Sequence, residues 1–176
     1  MNKLITQTLL ALLLPVFAIG QIGHIIEWPG TGPLKTIDLA TAATTFISDT
    51  ESDISASDYG PNEVLYAINS GSNTLITIDV PTGEVTQVGT ITPPADHTWM
   101  GLAYDYEEEV MYAMSAAGVA SGTSALHTVD LESATPTLIG SQSDATGIAC
   151  IAIDNDGIMY GLNLTSVGNI YTIDKH

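Results

Sequence analysis

The sequence contains no arginine and only three lysines, Lys3, Lys35 and Lys175, against 20 aspartates and glutamates. Its formal net charge is therefore -17 over 176 residues. Proteins bind nucleic acids and anionic lipids by neutralising phosphates with basic side chains, and arginine is the side chain that holds a phosphate with two hydrogen bonds. The composition argues against nucleic-acid binding and favours neutral, cationic or calcium-bridged partners, although most of the charge is expected only to keep the protein soluble.

Cysteine is equally scarce, because Cys150 is the only one. A single cysteine allows no internal disulfide and no cysteine-based metal site. Cys150 belongs to the apolar run IACIAI at 148–153 and has no base beside it, which predicts a buried packing role rather than a catalytic one. The fold must then be held by its core, for which a hydrophobic content of 45% is sufficient.

The longest largely apolar segment lies at the N-terminus and has the order of a secretory signal: Lys3, then a mainly apolar region at 4–17, then the small residues Ala18 and Gly20. The run is shorter than the roughly 20 residues that a membrane-spanning helix needs. We expect cleavage before Gln21 and a bacterial protein that is secreted or periplasmic and not inserted in a membrane. The predicted divisions are a signal peptide at 1–20, a connecting segment at 21–33 and a repeat domain at 34–176.

The repeat domain is organised by two short patterns. An Ile-Asp or Val-Asp pair ends at residues 38, 79, 130 and 174, which is an interval of about 41 to 51 residues. An Ala-x-Asp segment at 56–58, 103–105 and 152–154 is followed six to eight residues later by Tyr66, Tyr112 or Tyr160. Fixed order and spacing of this kind indicate an internal structural repeat.

Each repeat predicts four short strands. The first ends at Ala-x-Asp, the second carries the tyrosine, the third ends at Ile-Asp or Val-Asp, and the fourth follows a turn such as Pro-Thr-Gly at 81–83. Alternating apolar and polar residues, β-branched residues and glycine or proline at the turns all favour strands. Four strands in 40 to 50 residues are typical of a β-propeller blade, so the predicted fold class is all-β with four-stranded blades.

Two segments carry a family resemblance. LYAINSGSNTLITID at 65–79, followed by TGEV at 82–85, resembles the YVTN-type repeat of bacterial surface-layer and lactonase-like propellers. GLAYD at 101–105 is similar to repeats of secreted bacterial propellers. The resemblance covers about residues 34–174 and implies architecture only, because such repeats serve enzymes, adhesins and scaffolds alike.

The repeats amount to about three and a half blades, whereas complete propellers have about four to eight. Residues 34–48 supply the third and fourth strands of one blade, 53–89 and 98–140 supply two whole blades, and 146–174 supply three strands. Either a strand at 44–47 completes the last blade of a small ring, or the chain is an incomplete propeller. We favour the second arrangement, in which open blade edges would promote self-association.

His97 and Trp99 are the first candidate site residues, because they lie beside Asp96 in the connection between two blades. An exposed indole there would stack on a sugar, and the imidazole would transfer protons. The alternative, which we favour, is that Trp99 fills the gap between the blades.

Asp154 and Asp156 are the second candidates, because they alternate before Gly157 as ligands do in a calcium loop. The set is incomplete, because the residues after Gly157 supply neither the third alternate oxygen ligand nor the later bidentate glutamate of such a loop. A plain hairpin with glycine in the left-handed region is therefore favoured, and weak Ca²⁺ binding is the alternative.

No catalytic set can be recognised in the sequence. The pattern Gly-x-Ser-x-Gly is missing, and the histidines lack the spacing of a zinc site. We expect a secreted or surface-associated binding module that is not an enzyme, needs no cofactor and binds an unknown protein or glycan. The alternative is a portion of a propeller enzyme, either lactonase-like or a glycan-acting hydrolase.

Overall fold

A computed structural model of the chain describes residues 21–27, 31–118, 122–142, 145–164 and 168–176. The predicted signal peptide at 1–20 lies outside the described residues. Within these ranges every regular element is a β-strand, apart from one 3-10 turn at Pro61–Glu63. None of the described residues forms a helix with the length and apolar character needed to cross a membrane.

The strands form four antiparallel sheets that follow one another along the chain. Sheet 1 contains β1 (Ile22–Ile26), β2 (Pro33–Asp38) and β3 (Thr44–Asp49). Sheet 2 contains β4 (Ile54–Tyr59), β5 (Leu65–Asn69), β6 (Thr74–Ile78) and β7 (Val85–Thr90). Sheet 3 contains β8 (Thr98–Asp105), β9 (Val110–Ala116), β10 (Ser124–Val129) and β11 (Pro136–Gln142). Sheet 4 contains β12 (Ile148–Ile153), β13 (Met159–Asn163) and β14 (Ile170–Ile173).

The prediction of four-stranded blades is confirmed. Sheets 2 and 3 each pair their strands in chain order, first to fourth, with the tyrosine on the second strand. The Ile-Asp or Val-Asp pairs fall at the ends of β6, β10 and β14, each the third strand of its sheet, and at the end of β2, the second strand of sheet 1. Sheet 4 has the predicted first three strands of a unit.

Sheet 1 differs from the prediction. Its first strand, β1, lies in the segment 21–33 that the sequence predicts as a connection, where Ile26 pairs with Leu34 and Ile25 with Lys35. This pairing satisfies backbone groups of β2 that would otherwise form an open edge. The strand at 44–47 is β3, which pairs with β2 in sheet 1 and not with β14. The alternative in which this strand completes the last blade is therefore wrong.

The Ala-x-Asp segments are not structurally equivalent in all three repeats. In sheet 2 Tyr66 pairs with Asp58, whereas the tyrosines of sheets 3 and 4 pair with Ala103 and Ala152. The step from the aspartate to the tyrosine is eight residues in sheet 2 but seven and six in sheets 3 and 4, and the motif of sheet 2 is shifted by two residues along its strand. Asp58 therefore lies within β4, while Asp105 ends β8.

The core is divided into three clusters, each between successive sheets. Each sheet thus has a rear face toward the preceding sheet and a front face toward the following one. The fully buried members of the clusters include Leu34 and Ala67 between sheets 1 and 2, Ile68, Leu75 and Trp99 between sheets 2 and 3, and Met114, Leu126 and Ile148 between sheets 3 and 4. Among the described residues no cluster joins sheet 4 to sheet 1, so the four sheets form an open arc.

Candidate functional site

The first hairpins of sheets 2, 3 and 4, at residues 60–64, 106–109 and 154–158, lie next to one another along one side of the arc. We call these hairpins and the strand ends that carry them the hairpin rim. Its acidic residues are Glu63, Asp105, Glu107, Glu108, Glu109, Asp154 and Asp156. The rim therefore concentrates carboxylates on a chain that is already strongly anionic.

An open cavity of about 470 Å³ lies on this rim between sheets 1, 2 and 3. We call it the rim cavity, and its lining residues are Ile22, His24, Tyr59, Glu63, Val80 and Tyr106. The Tyr59 hydroxyl lies 2.8 Å from His24 Nδ1, and the Tyr106 hydroxyl donates to the Tyr59 carbonyl oxygen over 3.3 Å. These two contacts hold side chains of three sheets together.

The aromatic walls of the rim cavity are neutral. Burial and the nearby Glu63 carboxylate raise the pKa of Tyr59 above its ordinary value. Burial and the carboxylate of Asp58 similarly raise the pKa of Tyr106. Tyr106 is 64% exposed, and its ring meets that of Tyr104 edge to face with centroids 4.9 Å apart. The cavity therefore offers an accessible, fixed aromatic surface beside a carboxylate.

A smaller pocket of about 200 Å³ lies between the first hairpins of sheets 3 and 4. Lys175 is directed to this position, where its amine pairs with Asp105 and lies 2.7 Å from Glu108 Oε1. Burial alone would raise the pKa of Asp105, but the Lys175 ammonium and two backbone N–H groups lower it. Hydrogen bonds from Lys175 and Tyr112 likewise lower the pKa of Glu108. The chain's own lysine thus neutralises part of the rim.

Asp58 uses both carboxylate oxygens within the fold. Its Oδ2 accepts a hydrogen bond from the backbone N–H of Tyr104 over 2.8 Å, and its Oδ1 accepts one from Tyr59 N over 2.8 Å. Burial raises its pKa despite these donors. Because Tyr104 belongs to sheet 3, Asp58 contributes a polar link between successive sheets.

The structure separates the predicted pair of His97 and Trp99. Trp99 has no exposed surface, and its Nε1 donates to the Ile91 carbonyl oxygen over 2.8 Å. Its ring packs between sheets 2 and 3, so it cannot stack on a sugar in this conformation. His97 Nδ1 lies 3.0 Å from Ser115 Oγ. Because Ser115 is fully buried, this hydroxyl is not accessible to a ligand in solvent.

A second histidine lies against the Trp99 indole. The imidazole of His127 meets it edge to face with centroids 5.1 Å apart and is 3% exposed. Burial lowers the pKa of His127, which keeps the ring neutral near pH 7. His127 and Trp99 therefore belong to the buried core and not to a solvent-exposed site.

Asp154 and Asp156 do not converge with further ligands. Asp154 Oδ1 accepts hydrogen bonds from Asp156 N at 3.0 Å and Ile158 N at 2.9 Å, and its Oδ2 accepts one from the Tyr160 hydroxyl at 3.0 Å. Gly157 has a φ of +75°, the conformation predicted for a hairpin glycine. No group of three or more His, Cys, Asp or Glu in the described ranges could hold a metal ion.

We expect Ca²⁺ to change the stability of the protein little. Asp154 already accepts three hydrogen bonds, so a cation would have to displace them without a closed set of new ligands. Millimolar Ca²⁺ should raise the melting temperature by far less than the roughly 5–11 °C that saturating ligand gives a protein of this size. Thermal melts with Ca²⁺ or a chelator measure this shift. A large rise that Asp156→Ala removes would show the prediction to be wrong.

The prediction of a buried Cys150 is wrong, because the thiol is exposed. Cys150 pairs with Leu162 and lies on the front face of sheet 4, which no described residue covers. The same apolar pattern at equivalent positions is buried in sheet 3 by sheet 4. The apolar pattern therefore predicts the kind of sheet face that packs against another sheet. It does not predict whether another sheet is present to cover this face.

Sequence reasoning missed the residues of the rim cavity. His24 lies in the segment 21–33 that the sequence predicts as a connection. Tyr59 and Tyr106 lie next to turns and not at the repeating tyrosine position. Tyr59 and Tyr106 share one signal, since each adjoins the end of a first strand, whereas His24 lies at the middle of β1. That signal becomes informative only when the hairpins are known to share one side of the arc.

No family model matches the chain, and no curated protein matches it in sequence. Among solved structures, it is similar to a chain of the nidogen/laminin complex, with a TM-score of 0.57 and 9% identity over 82% of this chain and 53% of that one. A periplasmic gluconolactonase from Pseudomonas aeruginosa gives a TM-score of 0.51 and 10% identity over 82% and 48% of the two chains.

A third solved structure is a Bacteroides thetaiotaomicron protein of unknown function, which gives a TM-score of 0.52 and 13% identity over 81% of this chain and 38% of that one. The chain thus spans about half or less of the structures it resembles. At these identities the likeness shows the fold alone, which is of the β-propeller type.

Proposed function

We propose that the chain is an exported binding module without catalysis of its own, and that it holds a protein partner at the rim cavity. The observation that carries this proposal is the exposed Tyr106 ring, fixed against Tyr104 and Tyr59 beside Glu63. A fixed aromatic ring binds at a low entropic cost because few torsions remain to be ordered.

The chemistry of the rim cavity suits a basic side chain of the partner. A lysine or arginine head would meet the face of a neutral tyrosine ring and the Glu63 carboxylate together. The net charge of -17 would also attract a basic protein over a distance. The similar chain of the nidogen/laminin complex comes from a complex between proteins, which supports a protein as the partner class.

A lysine-rich peptide is the probe for this function. We expect Tyr106→Ala to weaken peptide binding by about two- to fivefold, the equivalent of about 0.5–1 kcal/mol for an exposed cation–π contact. Titration calorimetry at low salt measures the affinity. Leu138→Ala removes an equally exposed apolar side chain of sheet 3 away from the rim and is expected to have no effect.

Net charge must be separated from the rim cavity itself. Glu63→Gln and Glu132→Gln remove the same charge, but Glu132 lies in the exposed turn between β10 and β11. We expect only Glu63→Gln to weaken binding beyond the general electrostatic effect. Equal losses for the two variants would refute a specific site at the rim.

Export is a separate prediction. The order of Lys3, an apolar stretch and small residues at 18–20 motivates cleavage before Gln21. We expect the intact mass of the protein from the medium or periplasm to correspond to residues 21–176. A cytoplasmic product that retains residues 1–20 would contradict this prediction.

A further inference from the structure

The front face of sheet 4 has the residue pattern of an interface between sheets. Strand pairing makes Ile170 of β14 equivalent to Leu75 of β6 and Leu126 of β10. Leu75 and Leu126 are fully buried under the following sheet, whereas Ile170 is 74% exposed. The same side-chain position thus changes from the centre of a core cluster to open solvent.

The neighbours of Ile170 extend this exposed surface. Leu162 pairs with Ile170, and Cys150 pairs with Leu162, so the three share the front face of sheet 4. In sheet 3 the position of Leu162 is held by Met114, which is fully buried. We call Cys150, Leu162 and Ile170 the front end face. A contiguous apolar surface of this kind is typical of a site of association.

The opposite end of the arc carries a complementary surface. Ile25, Lys35 and Phe46 are paired across sheet 1 and share its rear face, and Ile37 lies two residues from Lys35 on the same face. The equivalents of Ile37 in sheets 2, 3 and 4 are buried against the preceding sheet. Phe46 is 56% exposed. We call Ile25, Ile37 and Phe46 the rear end face.

We propose that the front end face of one copy packs on the rear end face of a second copy, and that two such contacts close a ring of two chains. Every contact between sheets within the chain joins a front face to a rear face, so this pairing continues an existing type of interface. Two arcs of four sheets give eight, which is within the range of about four to eight blades in propellers. A two-fold axis along the ring centre relates the copies and leaves neither end face open.

The type of the two end faces supports a second copy as the occupant. Within the chain a front face packs only on a rear face, and a second copy supplies the missing partner for each end face. The two copies repel each other through their net charge, but salt screens exposed charges beyond about 10 Å at 0.1 M. The association is therefore stronger at moderate salt than at low salt.

The test is the molecular mass of the secreted protein by light scattering at micromolar concentration. The wild-type protein is a dimer, and Ile170→Glu and Phe46→Glu are each monomers, because a charge placed in either end face disrupts both contacts of the ring. Both side chains are exposed in the single chain, so each variant remains folded and still unfolds in one cooperative thermal transition. Leu138→Glu introduces the same charge at an exposed strand position away from the end faces and remains a dimer.

Mixing the two monomeric variants distinguishes this ring from other dimers. In the mixture, one contact joins the two substituted faces and the other joins two wild-type faces, so a weaker dimer of one copy of each variant forms. A dimer that pairs front face with front face would be disrupted by Ile170→Glu alone. That result, a monomeric wild-type protein or open-ended oligomers would each overturn the proposal.

Discussion

Lys175→Met is expected to lower the free energy of unfolding by about 2–3 kcal/mol and the melting temperature by about 4–12 °C. The substitution keeps the length of the side chain but leaves Asp105, which is 1% exposed, without its cationic partner. Breaking a deeply buried pair typically costs about 3–5 kcal/mol, and the smaller figure applies here because the pair lies at the rim, where water can reach the vacated position. Urea titration and thermal melts measure both quantities.

The pH dependence of the same variant follows from the direction of the pKa shifts. Lys175 lowers the pKa of Asp105 and of Glu108, so the unfolded chain binds more protons than the folded one in mild acid. The stabilisation is complete above the ordinary carboxyl pKa values of about 4 and is lost as the pH falls through the lowered ones. The difference between wild type and Lys175→Met should therefore shrink from pH 7 toward pH 3.

At alkaline pH the stability depends on pH in the opposite direction and falls as the pH rises. Burial alone would lower the pKa of Lys175, but its pairs with Asp105 and Glu108 raise it. Burial together with the Glu108 carboxylate raises the pKa of Tyr112 to about 12. Both contributions are present below the ordinary values of about 10 and are lost as the pH rises through the raised ones.

Lys35→Met is the matched control, because Lys35 forms its only ion pair among the described residues with the half-exposed Glu27. An exposed pair contributes about 0–1 kcal/mol. If the two lysine variants lost equal stability, the Lys175 pair would have no special role.

The strands could be predicted because their signal is local. The apolar and β-branched residues of a segment such as LITI at 75–78 favour a strand, and the turn residues that bound it act over a few residues. The repeat strengthened each assignment, since the tyrosine strand and the Ile-Asp strand recur in one order. These features hold whatever the sheets pack against.

The exceptions depend on tertiary context. Asp58 shares the Ala-x-Asp motif with Asp105, but Asp58 lies two residues further back along its strand, where it accepts a hydrogen bond from the backbone N–H of Tyr104. Cys150 has an interior pattern, yet it lies on a face that no described residue covers. Burial is a property of pairs of faces, so a single strand cannot specify it.

The candidate site was beyond sequence reasoning for the same reason. The rim cavity joins His24 of β1, Tyr59 of β4 and Tyr106 of the hairpin after β8, which are separated by 35 and 47 residues. Lys175 reaches Asp105 across 70 residues. Nothing in the local pattern of any of these residues distinguishes it from an ordinary turn or terminal residue.

Trp99→Ala is expected to cost about 3–5 kcal/mol in the free energy of unfolding, with a fall of about 6–20 °C in melting temperature. The indole has no exposed surface and packs against side chains of sheets 2 and 3, so its removal opens a cavity at their interface. The Ile91 carbonyl oxygen also loses its donor. Chemical denaturation of wild type and variant measures the difference.

Trp99→Phe separates the cavity from the hydrogen bond, because phenylalanine retains most of the apolar packing but cannot donate to Ile91. The loss in the free energy of unfolding for Trp99→Phe should be smaller than that for Trp99→Ala. It should be near the roughly 1–3 kcal/mol that an unsatisfied buried acceptor costs. Leu138→Ala removes an apolar side chain that is 58% exposed and should change stability by less than about 0.5 kcal/mol. A ligand platform would show the reverse order, with Trp99→Ala stable but impaired in binding, and that result would contradict the packing role that the buried indole indicates.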